Sequence, residues 1–260
     1  MSDQKGEKLN RLILNWPKGT VQATSYLNAD GYSRSLLSRY VKGRWIESAG
    51  RGAYSLYKDK IDWSGAVYAL QKQLNLPVYP GGKIALELKG FAHYLQTKDK
   101  VYLYCNEHSK LPSWFVGGGW KAEIIYTQAK LFKKDFHAAL TDYTKNNYTI
   151  KISAPEQAAI EMLYHVPKKI EFSEASLIME NLTTLRPGLV QQLLENCKFV
   201  SVKRLFLYMA DRARHPWFEK IDASRVDLGK GKRQVVKNGR LDKKYLITVP
   251  AEDKDVEGIS

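Results

Sequence analysis

The stretch ATSYLNADGYSRSLLSRYVKGRWIESAGRGAYSL, Ala23 to Leu56, decides the fold. Its pattern predicts a short helix from Ala23 to Asn28, a turn at Gly31, a helix over about 34–42 and a glycine-tipped hairpin. Gly31 supplies the backbone freedom that a tight interhelical turn needs. Ser33 is placed to cap the next helix with its hydroxyl. At 100° per residue that helix divides into two faces. Leu36, Leu37, Tyr40 and Val41 fall on one, and Arg34, Ser35, Ser38, Arg39 and Lys42 on the other. The strand-like runs Trp45-Ile46-Glu47 and Ala53-Tyr54-Ser55-Leu56 flank Gly50-Arg51-Gly52. Helix, glycine turn, cationic helix and Arg-tipped hairpin together describe a winged helix-turn-helix, which lays its second helix in a DNA major groove.

Outward from this module the chain stays consistent with it. Leu9, Leu12, Ile13 and Trp16 predict an amphipathic helix over Lys5 to Asn15, stopped by Pro17 and Gly19. The chain has 260 residues and a formal net charge of +14. That length suffices for two domains, and a cation of that strength suits a polyanion such as nucleic acid. Residues 1–60 hold 11 Lys/Arg against 5 Asp/Glu, and residues 225–245 hold 8 against 2. No apolar run is long enough to span a bilayer, and MSDQKGEKLN lacks the core of a signal peptide. Cys105 and Cys197 read as buried apolar thiols in a reducing cytoplasm.

Motifs that promise chemistry fail their own tests. Gly81-Gly82-Lys83 suggests a phosphate loop, but Pro77 stands where the first glycine belongs and Ile84 where Ser or Thr belongs. Glu87-Leu88-Lys89 matches the Glu-x-Lys element of metal-dependent nucleases. Those need it on a strand beside a second carboxylate, whereas here it ends a helix. The five histidines, His93, His108, His137, His165 and His215, show no ligand spacing, so neither a metal site nor a cofactor is expected.

Further along, Asp62 is a candidate cap for a helix to Leu74. Val101–Cys105, Lys121–Thr127 and Tyr148–Ser153 read as strands. Ser153-Ala154-Pro155-Glu156 predicts a capping box that opens a run of helices near 155–165, 174–183, 188–196 and 201–213. Leu177, Met179, Leu182, Leu185, Leu189, Leu193 and Leu194 supply their core, and Lys203, Arg204, Arg212 and Arg214 decorate the last. The basic loop Leu228-Gly229-Lys230-Gly231-Lys232-Arg233 follows. Short strands at 235–236 and 245–249 are expected around the Asn238-Gly239 turn.

The chain resembles the AbiEi antitoxins of type IV toxin–antitoxin, or abortive infection, systems. The resemblance rests on LNRLILNWPKGTV (9–21), GYSRSLLSRYVKGRWIESAGRGAY (31–54), DWSGAVYALQKQLNLPVYPGGKIALELKGFAHYL (62–95), KLPSWF (110–115), ISAPEQAAIEMLY (152–164), LIMENLTTLRP (177–187), VKRLFLYMADRARHPW (202–217) and LDKKYLITVP (241–250). It implies a bacterial winged-helix repressor acting on its own operon. It also implies a C-terminal region that counteracts a nucleotidyltransferase-like toxin, with no direct complex required.

The expectation is therefore an α+β protein: an N-terminal winged helix-turn-helix (1–60), a helical linker region packing between domains (61–92), a mixed α/β C-terminal domain (93–250) and an acidic tail (251–260). The expected partner is double-stranded DNA carrying operator repeats, with no membrane. Its contacts are assigned to Ser33, Arg34, Ser35, Ser38, Arg39, Lys42, Arg44 and Arg51. A second basic patch is expected at Lys203, Arg204, Lys230, Lys232 and Arg233. No catalytic residues are assigned. A nuclease centred on Glu87, and a winged helix used only for protein contacts, are the alternatives.

Overall fold

A computed structural model describes residues 3–92, 99–105, 107, 109–134 and 139–251. The chain forms two compact units that interleave along the sequence. One comprises residues 1–80, 96–129 and 142–152, and the other 81–95, 130–141 and 153–260. The expected acidic tail, apart from Ala251, and three of the histidines (His93, His108 and His137) lie outside the described residues.

The first unit opens with α1 (Asp3–Leu14), β1 (Gln22–Ala23), α2 (Thr24–Ala29), α3 (Arg34–Lys42), β2 (Ile46–Ser48) and β3 (Ala53–Leu56). The strands form an antiparallel sheet of order β1-β3-β2, in which Ala23 faces Ala53 and Ile46 faces Leu56. This is the order of a winged helix, and its wing is the β2–β3 hairpin. The apolar face predicted for α3 is buried: Leu36, Leu37 and Tyr40 pack with Leu12, Trp16, Leu27, Tyr32 and Ile46. Burying such side chains contributes about 1.5–3 kcal/mol each, and this holds the helix with its other face outward.

Helix α4 (Trp63–Lys72) is capped by Asp62, whose carboxylate accepts the amides of Ser64 (2.9 Å) and Gly65 (3.2 Å) and pairs with Lys145. It lies directly on the winged helix. A Cβ at Gly65 would stand 1.7 Å from the Gly19 carbonyl oxygen, so only glycine fits there. Gln73 completes the contact: its carbonyl accepts the Ala23 amide (2.8 Å), and its amide donates to the Val21 carbonyl (3.3 Å). Beyond β4 (Val78–Pro80), helix α5 (Lys83–Leu88) belongs to the second unit. The first unit continues with β5 (Asp99–Cys105), α6 (Ser113–Val116) and β6 (Ala122–Thr127), forming a sheet of order β4-β5-β6 with β5 and β6 parallel. β7 (Leu140–Lys145) and β8 (Tyr148–Ser153) form a separate pair, and Ser64 and Tyr148 share a hydroxyl–hydroxyl bond of 2.7 Å.

The second unit is built around α7 (Pro155–Tyr164), α8 (Phe172–Glu180), α9 (Pro187–Asn196) and α10 (Val200–Arg212). The predicted capping box is not made. Ala154 is the cap residue, the Ser153 hydroxyl donates to Glu161 (2.7 Å), and Glu156 takes the amide and guanidinium of Arg186. Glu161 is fully buried and also accepts from the Gly82 amide and Gln157. A buried carboxylate needs such donors, and this need takes the Ser153 hydroxyl away from the cap. Leu177, expected in the core, is half-exposed. A last sheet, of order β10-β11-β9, joins β9 (Arg233–Gln234), β10 (Arg240–Asp242) and β11 (Ile247–Val249). Here too the expectation is corrected. The hairpin is β10–β11, and β9 pairs parallel to β11, so Asn238-Gly239 turns the chain into β10 rather than joining strands at 235–236 and 245–249. Both cysteines are buried free thiols. Among the described residues, no helix is long and apolar enough to cross a membrane.

Candidate nucleic-acid interface

All eight residues assigned to DNA contact from the sequence lie exposed on the winged helix: Ser33, Arg34, Ser35, Ser38, Arg39, Lys42, Arg44 and Arg51. Ser33 caps α3 as predicted, its hydroxyl accepting the Leu36 amide (3.3 Å) and lying 3.0 Å from the Ser35 hydroxyl. The cap fixes where the helix begins, and hence the direction in which Arg34 and Ser35 leave its first turn. One and two turns later Ser38, Arg39 and Lys42 follow on the same side. Among the described residues, no carboxylate pairs with Arg34, Arg39, Lys42, Arg44 or Arg51. By contrast the neighbouring Arg11 is tied to Asp30 at 3.2 Å. On the opposite, packed side, burial pushes the phenols of Tyr32 and Tyr40 up from their usual value.

Arg44 is positioned by a device that sequence reading passed over. The end of α3 carries the paired bonds of a Schellman motif, Arg44 N–H to Val41 C=O (3.0 Å) and Trp45 N–H to Tyr40 C=O (3.0 Å). Glycine usually takes the left-handed place in that motif. Here Gly43 is one residue early with φ −76°, and Arg44 takes the place with φ 56°. Holding a side chain there costs about 1 kcal/mol. Trp45 was also missed, having been read only as a strand start. Its indole is half-exposed, and its Cδ1 lies 2.9 Å from where a Gly43 Cβ would stand. The signal available for both was Gly43-Arg44-Trp45 immediately after a helix whose last turn is basic. Arg51 sits at the tip of the wing between Gly50 (φ 121°) and Gly52 (φ 103°).

The second basic patch is corrected. Lys203 and Arg204 are 2% and 1% exposed and form no surface. Residues 227–231 and Leu246 cover that face of α10. The Lys203 ammonium donates to the Asp227 carbonyl (2.7 Å). The Arg204 guanidinium donates to the carbonyls of Leu228 (2.8 Å), Gly229 (3.0 Å), Gly231 (2.6 Å) and Leu246 (3.0 Å). Burial lowers the affinity of both groups for their protons, and the carbonyl dipoles offset the cost of keeping them charged. Of the other three, Lys230 and Lys232 are exposed. Arg233 is half-buried and folds back onto the carbonyls of Lys230 (3.0 Å) and Lys232 (3.1 Å). Glu87 lies on helix α5 within 3.6 Å of the Lys83 ammonium, which also pairs with Glu174, so the strand that a nuclease Glu-x-Lys element requires is not there.

Family models match both parts of the chain. A family model for the N-terminal domain of the AbiEi antitoxin, a transcriptional regulator, matches residues 5–97. A second, described as a transcriptional regulator, AbiEi antitoxin of type IV toxin–antitoxin systems, matches residues 98–250. Among solved structures the chain is similar to the RV2827C protein from Mycobacterium tuberculosis. Their TM-score is 0.59 at 12% identity, over 92% of this chain and 88% of that one, a likeness of fold. No curated protein matches. With both segments matched in order, the chain belongs to the AbiEi antitoxin family of type IV toxin–antitoxin transcriptional regulators.

Proposed function

We propose that this protein represses its own toxin–antitoxin operon from the cytoplasm by binding operator repeats, and that it counteracts a nucleotidyltransferase-like toxin. The observation that carries the DNA reading is the exposed cationic face of α3, flanked by Arg44 and Arg51 and without a carboxylate partner among the described residues. In this reading α3 enters a major groove. Arg34 and Arg39 face guanine edges or phosphates, Ser35 and Ser38 supply short polar contacts, and Lys42 and Arg44 hold the flanking backbone. Arg51 reaches phosphate or a minor groove from the wing. Trp45 adds an aromatic surface beside Arg44, and Lys230 and Lys232, on the second unit, are exposed cations of the kind that can meet phosphate. Family membership supports both the regulatory and the antitoxin roles.

The test is a mobility-shift titration against DNA upstream of the gene. Arg34→Ala with Arg39→Ala is expected to lower specific affinity by about 1–3 kcal/mol for each base pairing lost. Wild-type affinity is expected to fall steeply between 50 and 200 mM salt, about 10³-fold or more if six or more phosphates are contacted. Unchanged binding by the double variant removes α3 from the interface. Growth rescue in cells that co-express the toxin tests the antitoxin role separately.

A further inference from the structure

The wing does not stand free. Its tip rests on Trp114, the second residue of α6. A Cβ built on Gly50 would lie 3.1 Å from both Cα and Cβ of Trp114 and 3.5 Å from its carbonyl oxygen. One built on Gly52 would lie 3.8 Å from Cδ1 of the indole. The two residues flanking Arg51 are thus glycines, and both face the same tryptophan. Trp114 itself is 4% exposed and is braced from behind. It meets Phe115 edge-on at 5.8 Å and Trp120 edge-on at 6.5 Å, and the Trp120 indole N–H locks the turn by donating to the Phe115 carbonyl at 2.6 Å. The footing is therefore a packed aromatic cluster. The wing belongs to the segment matched by the N-terminal family model, and its footing to the segment matched by the other.

We infer that Trp114 is a positioning residue for DNA binding: without touching DNA, it holds the wing tip so that Arg51 stands at a fixed height beside α3. β1 pairs with β3 as far as Ala53, and the Thr24 amide holds the Gly52 carbonyl (2.9 Å), so the freedom left in the tip is that of Gly50 and Arg51 on the β2 side. Seated on Trp114, the tip loses that freedom before DNA arrives, so the cost of ordering it is not subtracted from the Arg51 contact. The inference rests on the DNA-binding reading of α3 and the wing, and its test has an arm that needs no DNA.

In that arm, amide hydrogen exchange of residues 48–53 is followed in the free full-length protein. Trp114→Ala is expected to speed it by about tenfold, with exchange of α3 unchanged. Trp114→Phe, which keeps a ring in the seat, is expected to restore most of the protection. Should Trp114→Ala fail to fold, Trp114→Leu keeps an apolar side chain in the core and removes the indole that meets the wing, and it is expected to speed exchange likewise. Unchanged exchange in the folded variants overturns the inference.

In the DNA arm, Arg51→Ala and Arg39→Ala are each measured in wild-type and Trp114→Ala backgrounds. Arg51→Ala is expected to weaken wild-type binding by about fivefold, the size of one exposed charge contact, and to cost almost nothing further once Trp114 is gone. Arg39→Ala is expected to cost the same in both backgrounds. An equal Arg51 effect in both backgrounds shows that the footing does not set the wing and overturns the inference. Accelerated exchange without any DNA binding by the wild type sinks the DNA-binding reading instead.

Discussion

Arg204 offers the sharpest test of how the second unit is held. Its guanidinium is 1% exposed and gives four hydrogen bonds to main-chain carbonyls, at 2.6 to 3.0 Å, with no carboxylate among those acceptors. Arg204→Met keeps the aliphatic stem and deletes every donor. Hydrogen bonds from a charged group contribute about 1.5–3 kcal/mol each, so a plain sum over four gives roughly 6–12 kcal/mol. Two effects reduce it. The variant no longer buries a charge, and Gly229 and Gly231 are exposed, so their carbonyls find water once the loop lifts. The expected loss is about 3–5 kcal/mol, within the range for breaking a buried polar network. Arg204→Lys retains charge but replaces the planar fork with one ammonium of three donors, and is expected to lose about 2 kcal/mol. Urea unfolding of the full-length protein gives the free energies, and amide exchange of residues 228–233 reports the loop. A methionine variant within about 1 kcal/mol of wild type, with the loop still protected, refutes the reasoning.

Two further outcomes are expected. Arg44→Gly removes left-handed strain and is expected to stabilise the protein by about 1 kcal/mol while weakening DNA binding, so that thermal unfolding and mobility-shift titration move in opposite directions. Movement of both in the same direction contradicts the assignment. His165 is buried, and desolvation, helped by Lys169, lowers its pKa from 6.5 to about 4. Above pH 6.5 the ring is neutral in both states and its contribution is fully present. As pH falls towards 4 the unfolded chain takes a proton that the folded chain refuses, and stability declines by an amount on the order of 3 kcal/mol. Between pH 7, 5.5 and 4.5 the urea midpoint is expected to fall less steeply in His165→Gln than in the wild type, and an unaltered slope refutes this.

The parts legible in the sequence are those fixed by neighbours. Ser33 caps α3, Asp62 caps α4 and Gly31 makes the interhelical turn (φ 86°), each through bonds or angles set within three or four residues. The two faces of α3 were legible for the same reason, because a period of 3.6 states which side is buried. The illegible parts depend on distant chain. Lys203 and Arg204 fall on the polar side of α10, and nothing within a turn of them reveals that residues 227–246 return to cover that side. Ser153 and Glu156 match a capping box, yet Glu161 and Arg186 compete for them more strongly. β1 is two residues long and visible only through its pairing with β3. Trp114 beneath the wing is separated from Gly50 by more than sixty residues, and KLPSWF carries no local sign of what it supports.

The side-chain amide of Gln73 acts as the missing neighbour of β1, answering one donor and one acceptor on its outer margin as another strand would. A piece cut after residue 60 leaves that margin bare, and a bare margin is what lets copies of a polypeptide stitch together into aggregates. The smallest portable form of this module is accordingly longer than its helices and hairpin. It must carry α4 with it, and with α4 the glycine that lets the two surfaces touch.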